Sequence, residues 1–164
     1  MRAEVSQRLL SVRDLRVHFP LRRPPLFGGP VPVVRAVDGV SFDLAAGETL
    51  GVVGESGCGK STLGRAILRL VEPTDGSILW LGRDLFSLDK TALRRGRRDM
   101  QIIFQDPLAS LDPRMTVGQI VERPLKNFHP ELSRRERRAR VIEMLRHVGL
   151  ATEHAGRYPG VVEG

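Results

Sequence analysis

Residues 51–62 read GVVGESGCGKST, and no other stretch narrows the possible folds of this chain so far. An apolar run, Leu50-Gly51-Val52-Val53, enters a loop in which Gly54, Gly57 and Gly59 are interleaved with polar residues, and Lys60, Ser61 and Thr62 close it. Gly54, Gly59, Lys60 and Ser61 fit the spacing G-x-x-x-x-G-K-S/T of a phosphate-binding loop. A backbone that curls around a phosphate with its N–H groups inward has little room for Cβ atoms, which explains the glycines. Leu63, Ala66, Ile67 and Leu70 recur at i, i+3, i+4 and i+7, so a helix is predicted over 60–71, with Pro73 and Gly76 behind it. Its unpaired N-terminal amides and positive dipole end add to the anion site.

The residue types match a nucleoside triphosphate. Lys60 reaches the β- and γ-phosphates, Ser61 offers a hydroxyl to Mg²⁺, and Thr62 supplies a further donor. Gly54, Glu55, Ser56, Gly57, Cys58 and Gly59 form the cradle ahead of them. Composition sharpens the role of Lys60. The chain has 26 basic residues, of which only Lys60, Lys90 and Lys126 are lysines. A sequence that nearly always chooses arginine has a lysine where a compact ammonium fits and a planar fork does not.

The 164 residues suffice for a domain with a real core, and 41% hydrophobic with 27% charged residues is a soluble globular composition. No apolar stretch approaches the roughly 18 residues of a membrane span, and MRAEVSQRLL does not read as a signal peptide. Cys58 is the single cysteine, which excludes an internal disulfide and fits a reducing compartment. The net charge of +7 gathers at Arg94, Arg95, Arg97 and Arg98 and at Arg134, Arg135, Arg137, Arg138 and Arg140. Aromatic residues do not interleave with these runs, so stacking platforms for bases are lacking and nucleic acid is not an expected partner. The runs read as solvated helix faces.

Along the chain, Leu15, Val17 and Phe19 alternate with Arg16 and His18 in a strand over 9–19, followed by a proline-rich loop over 20–32. Further strands are predicted over 33–44, 48–53, 77–81 and 100–105. Beyond about residue 110 helices take over: one over 117–123, capped by Thr116 and limited by Pro124, and one behind the capping box Ser133–Glu136. The latter carries the apolar stripe Val141, Ile142, Leu145 and Val148 and ends at Gly149. The expected fold class is α/β. His18, His129, His147 and His154 lack the mutual spacing of metal ligands.

Three stretches together resemble the ATP-binding subunits of ABC transporters: VRAVDGVSFDLAAGETLGVVGESGCGKSTLGRAIL, EPTDGSILWLGRDL and MQIIFQDPLASLDPRMTVGQIVERPL. More narrowly they are similar to the subunits that drive dipeptide and oligopeptide importers. The resemblance covers about residue 9 to Pro159, with GESGCGKST and FQDPLASLDPR its most particular parts. It implies a P-loop NTPase core with flanking antiparallel strands over 1–108 and a helical subdomain over 109–164. It also implies Mg-ATP as cofactor, membrane-spanning permease subunits and a second ATP-binding subunit as partners, and a place at the cytoplasmic face of the membrane. Phe19 matches the aromatic residue that stacks on adenine; read alone it is a core residue of its strand. Gln105 matches the glutamine that touches Mg²⁺ and the attacking water; read alone it is a polar strand end. Asp106 ends an apolar strand as a magnesium-orienting aspartate does, but Gln105 interrupts the run and no glutamate follows.

The resemblance stops at GVVEG, residues 160–164, where the family continues to a Ser-Gly-Gly-Gln signature and a strand ending in Asp-Glu. The sequence is therefore expected to be an N-terminal portion or one with an altered end, inactive by itself. A P-loop kinase or GTPase and a basic nucleic-acid-binding module stand as alternatives; the absence of an NKxD motif speaks against a GTPase.

Overall fold

The computed structural model describes residues 8–21 and 31–161. Most of the proline-rich loop and residues 162–164 lie outside them. The chain divides into two compact units, Met1–Arg97 and Arg98–Gly164.

The first unit is built on an antiparallel sheet of order β2-β1-β3-β4. Its strands are β1 (Arg8–Pro20), β2 (Val33–Ala45), β3 (Asp75–Trp80) and the short β4 (Arg83–Asp84). The buried residues of β1 are spaced irregularly, because Val12, Leu15 and Val17 are all inside. A bulge reconciles this with the pleat. Val12 faces Phe42 and Leu15 faces Val40, so β1 holds one extra residue and Leu15 returns to the inner face. Asp14 absorbs the bend at φ 46°. β3 crosses close to this bulge, and a Cβ on Gly76 would lie 2.6 Å from the Asp14 carbonyl oxygen. Val37, Ile78, Leu85 and Leu93 complete this core with Leu63 and Ala66 of helix α1 (Lys60–Ile67).

On the outer face, Arg13 Nη2 donates to both carboxylate oxygens of Asp43, at 2.8 and 2.7 Å. Hydrogen bonds from Arg13, and secondarily from Ser11, hold the Asp43 carboxyl down at about 2. A depressed folded-state carboxylate stabilises above the unfolded value near 3.9 and loses that contribution as pH falls toward 2. Thermal melts of wild type and Asp43→Asn should therefore differ at pH 5 and converge near pH 2; a pH-independent gap would exclude the ion pair as its source.

Helix α1 ends at Ile67, four residues earlier than its apolar period predicts. Arg69 takes φ 49° and its guanidinium donates to the carbonyls of Leu85 and Leu88 at 2.7 and 3.1 Å. This tie turns the chain out of the helix. Helix α2 (Lys90–Gly96) was not predicted; Asp89 Oδ1 caps it by accepting from Ala92 N at 2.7 Å.

Two predicted strands do not form. Residues 48–53 and 100–105 pair with no strand among the described residues. Their apolar side chains lie open, Val53 at 93% and Ile103 at 90% exposure. Propensity alone does not make a strand, since its backbone groups need a neighbour on each side, and runs of this kind suit a sheet covered on both faces.

The second unit packs helix α3 (Val117–Phe128) against helix α4 (Arg134–His147) and a following 3₁₀ turn, Thr152–Gly156. Thr116 caps α3 in a full capping box with Gln119, and Ser133 does the same for α4 with Glu136. Pro124 does not limit α3, which runs on to Phe128. The missing N–H costs one bond to Ile120, and the helix is held from outside by Glu122, which accepts from Arg137 of α4 at 3.1 Å and pairs with Lys126 at 2.9 Å. Gly118 lies against Ala155, whose carbonyl oxygen would stand 2.8 Å from an added Cβ. Of the predicted stripe on α4, Val141 and Leu145 are buried, whereas Val148 is 67% exposed. Gly149 at φ 79° ends α4 as predicted, with Leu150 N bonded to Leu145 O at 2.9 Å and Gly149 N to Arg146 O at 3.0 Å, a Schellman arrangement.

Candidate nucleotide-binding site

Residues 54–62 form one continuous loop and helix start in the first unit. Gly59 is the N-cap of α1 at φ 99°. A Cβ built there would lie 2.0 Å from the Ala36 carbonyl oxygen of β2, so the loop is pressed onto the sheet and only glycine fits. No side chain caps α1. Its first helical bond runs from Leu63 N to Gly59 O at 2.8 Å, which leaves the preceding amides of the first turn for an anion.

Lys60 turns back across the loop. Its Nζ donates to the carbonyls of Gly54 at 2.8 Å and Glu55 at 2.6 Å and lies 3.6 Å from Cys58 Sγ. The ammonium is thus held against the loop backbone, whose Glu55, Ser56 and Gly57 are all exposed. Ser61 is exposed in the first turn beside it, and Thr62 half-buried. The glycine cradle, uncapped amides, held ammonium and adjacent hydroxyl suit a triphosphate with its divalent cation, for which Ser61 is the hard oxygen ligand present in the loop.

Phe19 sits at the end of β1 opposite Val34 and is 41% exposed, so it is not a core residue. Gln105 belongs to the second unit, in irregular backbone with its side chain exposed. Asp106 follows it and accepts from Ala109 N at 3.0 Å, closing a turn. Among the described residues no cluster of histidine, cysteine, aspartate and glutamate forms a metal site, and His18 instead contacts Asp38 at 3.0 Å. Ala36, whose carbonyl shapes the loop, carries no sequence signal because its role depends on a contact 23 residues away along the chain.

Cys58 is exposed inside this loop. Maleimide is expected to label it readily, and saturating Mg-ATP to slow the labelling; equal rates with and without nucleotide would show that the loop does not enclose the phosphates.

Comparison with known proteins accords with this geometry. The family model described as "ABC transporter" matches residues 37–161. The oligopeptide transport ATP-binding protein OppF of Salmonella typhimurium is 51% identical over 100% of this chain and 50% of its own length. The dipeptide transport ATP-binding protein DppF of Escherichia coli is 46% identical over 99% of this chain and 48% of its own. The chain spans about half the length of the curated relatives it matches. A solved dimeric structure of the ATP-binding cassette MJ0796, bound to ADP and Pi, superimposes with TM-score 0.77 and 26% identity, covering 94% of this chain and 63% of that one.

Proposed function

The chain belongs to the ABC transporter family, and from that premise we propose that it is the ATP-binding part of a peptide importer subunit, binding Mg-ATP through residues 54–62. ATP hydrolysis is the activity that the family implies. The observation that carries the nucleotide reading is the loop held open by Gly59 against Ala36, with Lys60 tied across it. Identities of 46–51% to proteins named for dipeptide and oligopeptide transport support the peptide assignment.

Residues 1–108 are assigned to the nucleotide-binding core and 109–164 to the helical subdomain, although the compact units divide at Arg97–Arg98, so that residues 98–108, Gln105 among them, go with the second unit. Lys60 and the first-turn amides would bind and orient the triphosphate, Ser61 would offer its hydroxyl to Mg²⁺, and Phe19 would stack on the adenine, while Gln105 carries the glutamine role that the resemblance assigns to it. The magnesium ion supplies charge neutralisation on the phosphates when bound. Gln105 lies in the second unit, which suits a residue that relays nucleotide state to the permease-facing helices. A cavity of about 340 Å³ beside it in sequence, lined by Leu111, Met115, Ile120 and Phe128 among others, is the surface offered to the permease. A second ATP-binding subunit completes the site, in keeping with the dimeric MJ0796 structure. No helix among the described residues is long and apolar enough to cross a membrane, consistent with a peripheral place on its cytoplasmic face.

Competition titration tests this reading. A fluorescent ATP analogue should bind in the presence of Mg²⁺ and be displaced by ATP well ahead of single-stranded DNA. Tighter, salt-sensitive binding of DNA would overturn the assignment in favour of a nucleic-acid module.

A further inference from the structure

Helix α4 presents a second face that its packing on α3 does not use. Arg135, Arg138, Ala139, Ile142 and Arg146 follow one another along this face, with His147 at its end, and bound a groove of about 650 Å³. Arg135, Arg138, Ile142 and Arg146 advance by three or four residues, with Ala139 next to Arg138, so the groove follows the helix for three turns, about 17 Å. Every residue bordering it belongs to α4, with the long arginine side chains and Glu143 beside Ala139 and Ile142.

Among the described residues Arg135, Arg138 and Arg146 make no ion pair, although Glu143 lines the same face. Of the arginines on α4, only Arg137 makes an ion pair among the described residues, with Glu122 on the α3 side. Glu136 is engaged in the N-terminal capping box. Glu143 is the one carboxylate lining the groove. Guanidinium groups beside apolar side chains favour carboxylates, which they bind in a bidentate fork. Ala139 is exposed and ends at Cβ, so a second helix can approach to the 8–10 Å at which helices pack. A bilayer fits less well. A helix lying in a membrane surface needs a broad apolar face of Trp, Phe or Leu, whereas this stripe offers a single branched aliphatic side chain.

We propose that the groove along α4 docks an acidic amphipathic helix of a partner protein, with small apolar residues over Ala139 and Ile142 and carboxylates paired to Arg135, Arg138 and Arg146. The proposal rests on residues of α4 alone and does not depend on ATP binding.

The test uses the chain with a fluorescein-labelled acidic amphipathic peptide of about three helical turns, its scrambled isomer, and phosphatidylglycerol vesicles, at about 0.15 M salt. The ordered peptide should bind more tightly than the scrambled one. The triple substitution Arg135→Glu, Arg138→Glu, Arg146→Glu should weaken it by roughly tenfold or more. The same charge change at Arg94, Arg95 and Arg98 should cost less than about twofold. The milder triple change to Gln, checked by circular dichroism, should weaken binding in the same direction without loss of fold. Equal binding of the scrambled peptide, equal loss in the control triple, absence of peptide binding, or binding of vesicles alone would each overturn the proposal.

Discussion

Lys60→Ala is expected to abolish Mg-ATP binding in the working concentration range. The Lys60 ammonium is the only side-chain cation within the loop, and it is already positioned by the Gly54 and Glu55 carbonyls at 2.8 and 2.6 Å. Little ordering is left to be done when phosphate arrives. Each hydrogen bond to a charged group contributes about 1.5–3 kcal/mol. With two of its three N–H donors on those carbonyls, the ammonium keeps one for a phosphate oxygen, and losing that bond predicts a fall in affinity of at least roughly tenfold. Truncation also releases the two carbonyls, so the loop loses the tie that shapes it. Lys60→Arg should recover little, because a planar guanidinium does not fit where the ammonium sits between two carbonyls. Fluorescent-nucleotide titration of both variants, with circular dichroism to confirm the fold, decides the matter. Equal affinities in wild type and Lys60→Ala would remove the loop from the nucleotide site.

Purified as these 164 residues, the protein is expected to be marginally stable, melting at low temperature and aggregating readily on warming. Leu50, Val52 and Val53 ahead of the loop are 44, 49 and 93% exposed, and Ile103 and Phe104 are 90 and 40% exposed. Burying one such side chain contributes about 1.5–3 kcal/mol. Five of them bear on a total stability of only about 5–15 kcal/mol. The same segments carry unpaired backbone donors and acceptors, which recruit other chains as readily as they would a proper neighbour strand. The loop is anchored on one side by β2 at Ala36. The apolar segment that feeds it has no such support among the described residues. A high melting temperature without aggregation would contradict the expectation.

The features legible in the sequence are those whose hydrogen bonds close within a few residues. The tie of Lys60 to the Gly54 and Glu55 carbonyls, the capping boxes Thr116–Gln119 and Ser133–Glu136, and the stop at Gly149 each depend on partners no more than six positions away. Local chemistry is enough to specify them. What tertiary structure decided depends on residues far apart in the chain. The bulge at Arg13–Asp14 exists because Leu15 must reach the same core as Val12 while β2 and β3 pair on either side. Helix α1 stops at Ile67 because Arg69 is drawn to carbonyls 16 and 19 residues on. Helix α3 passes through Pro124 with Glu122 gripped by Arg137 of α4. Residues 48–53 and 100–105 have every mark of strands and are not strands, because a strand is completed only by a neighbour, and a neighbour is supplied by packing rather than by the segment itself.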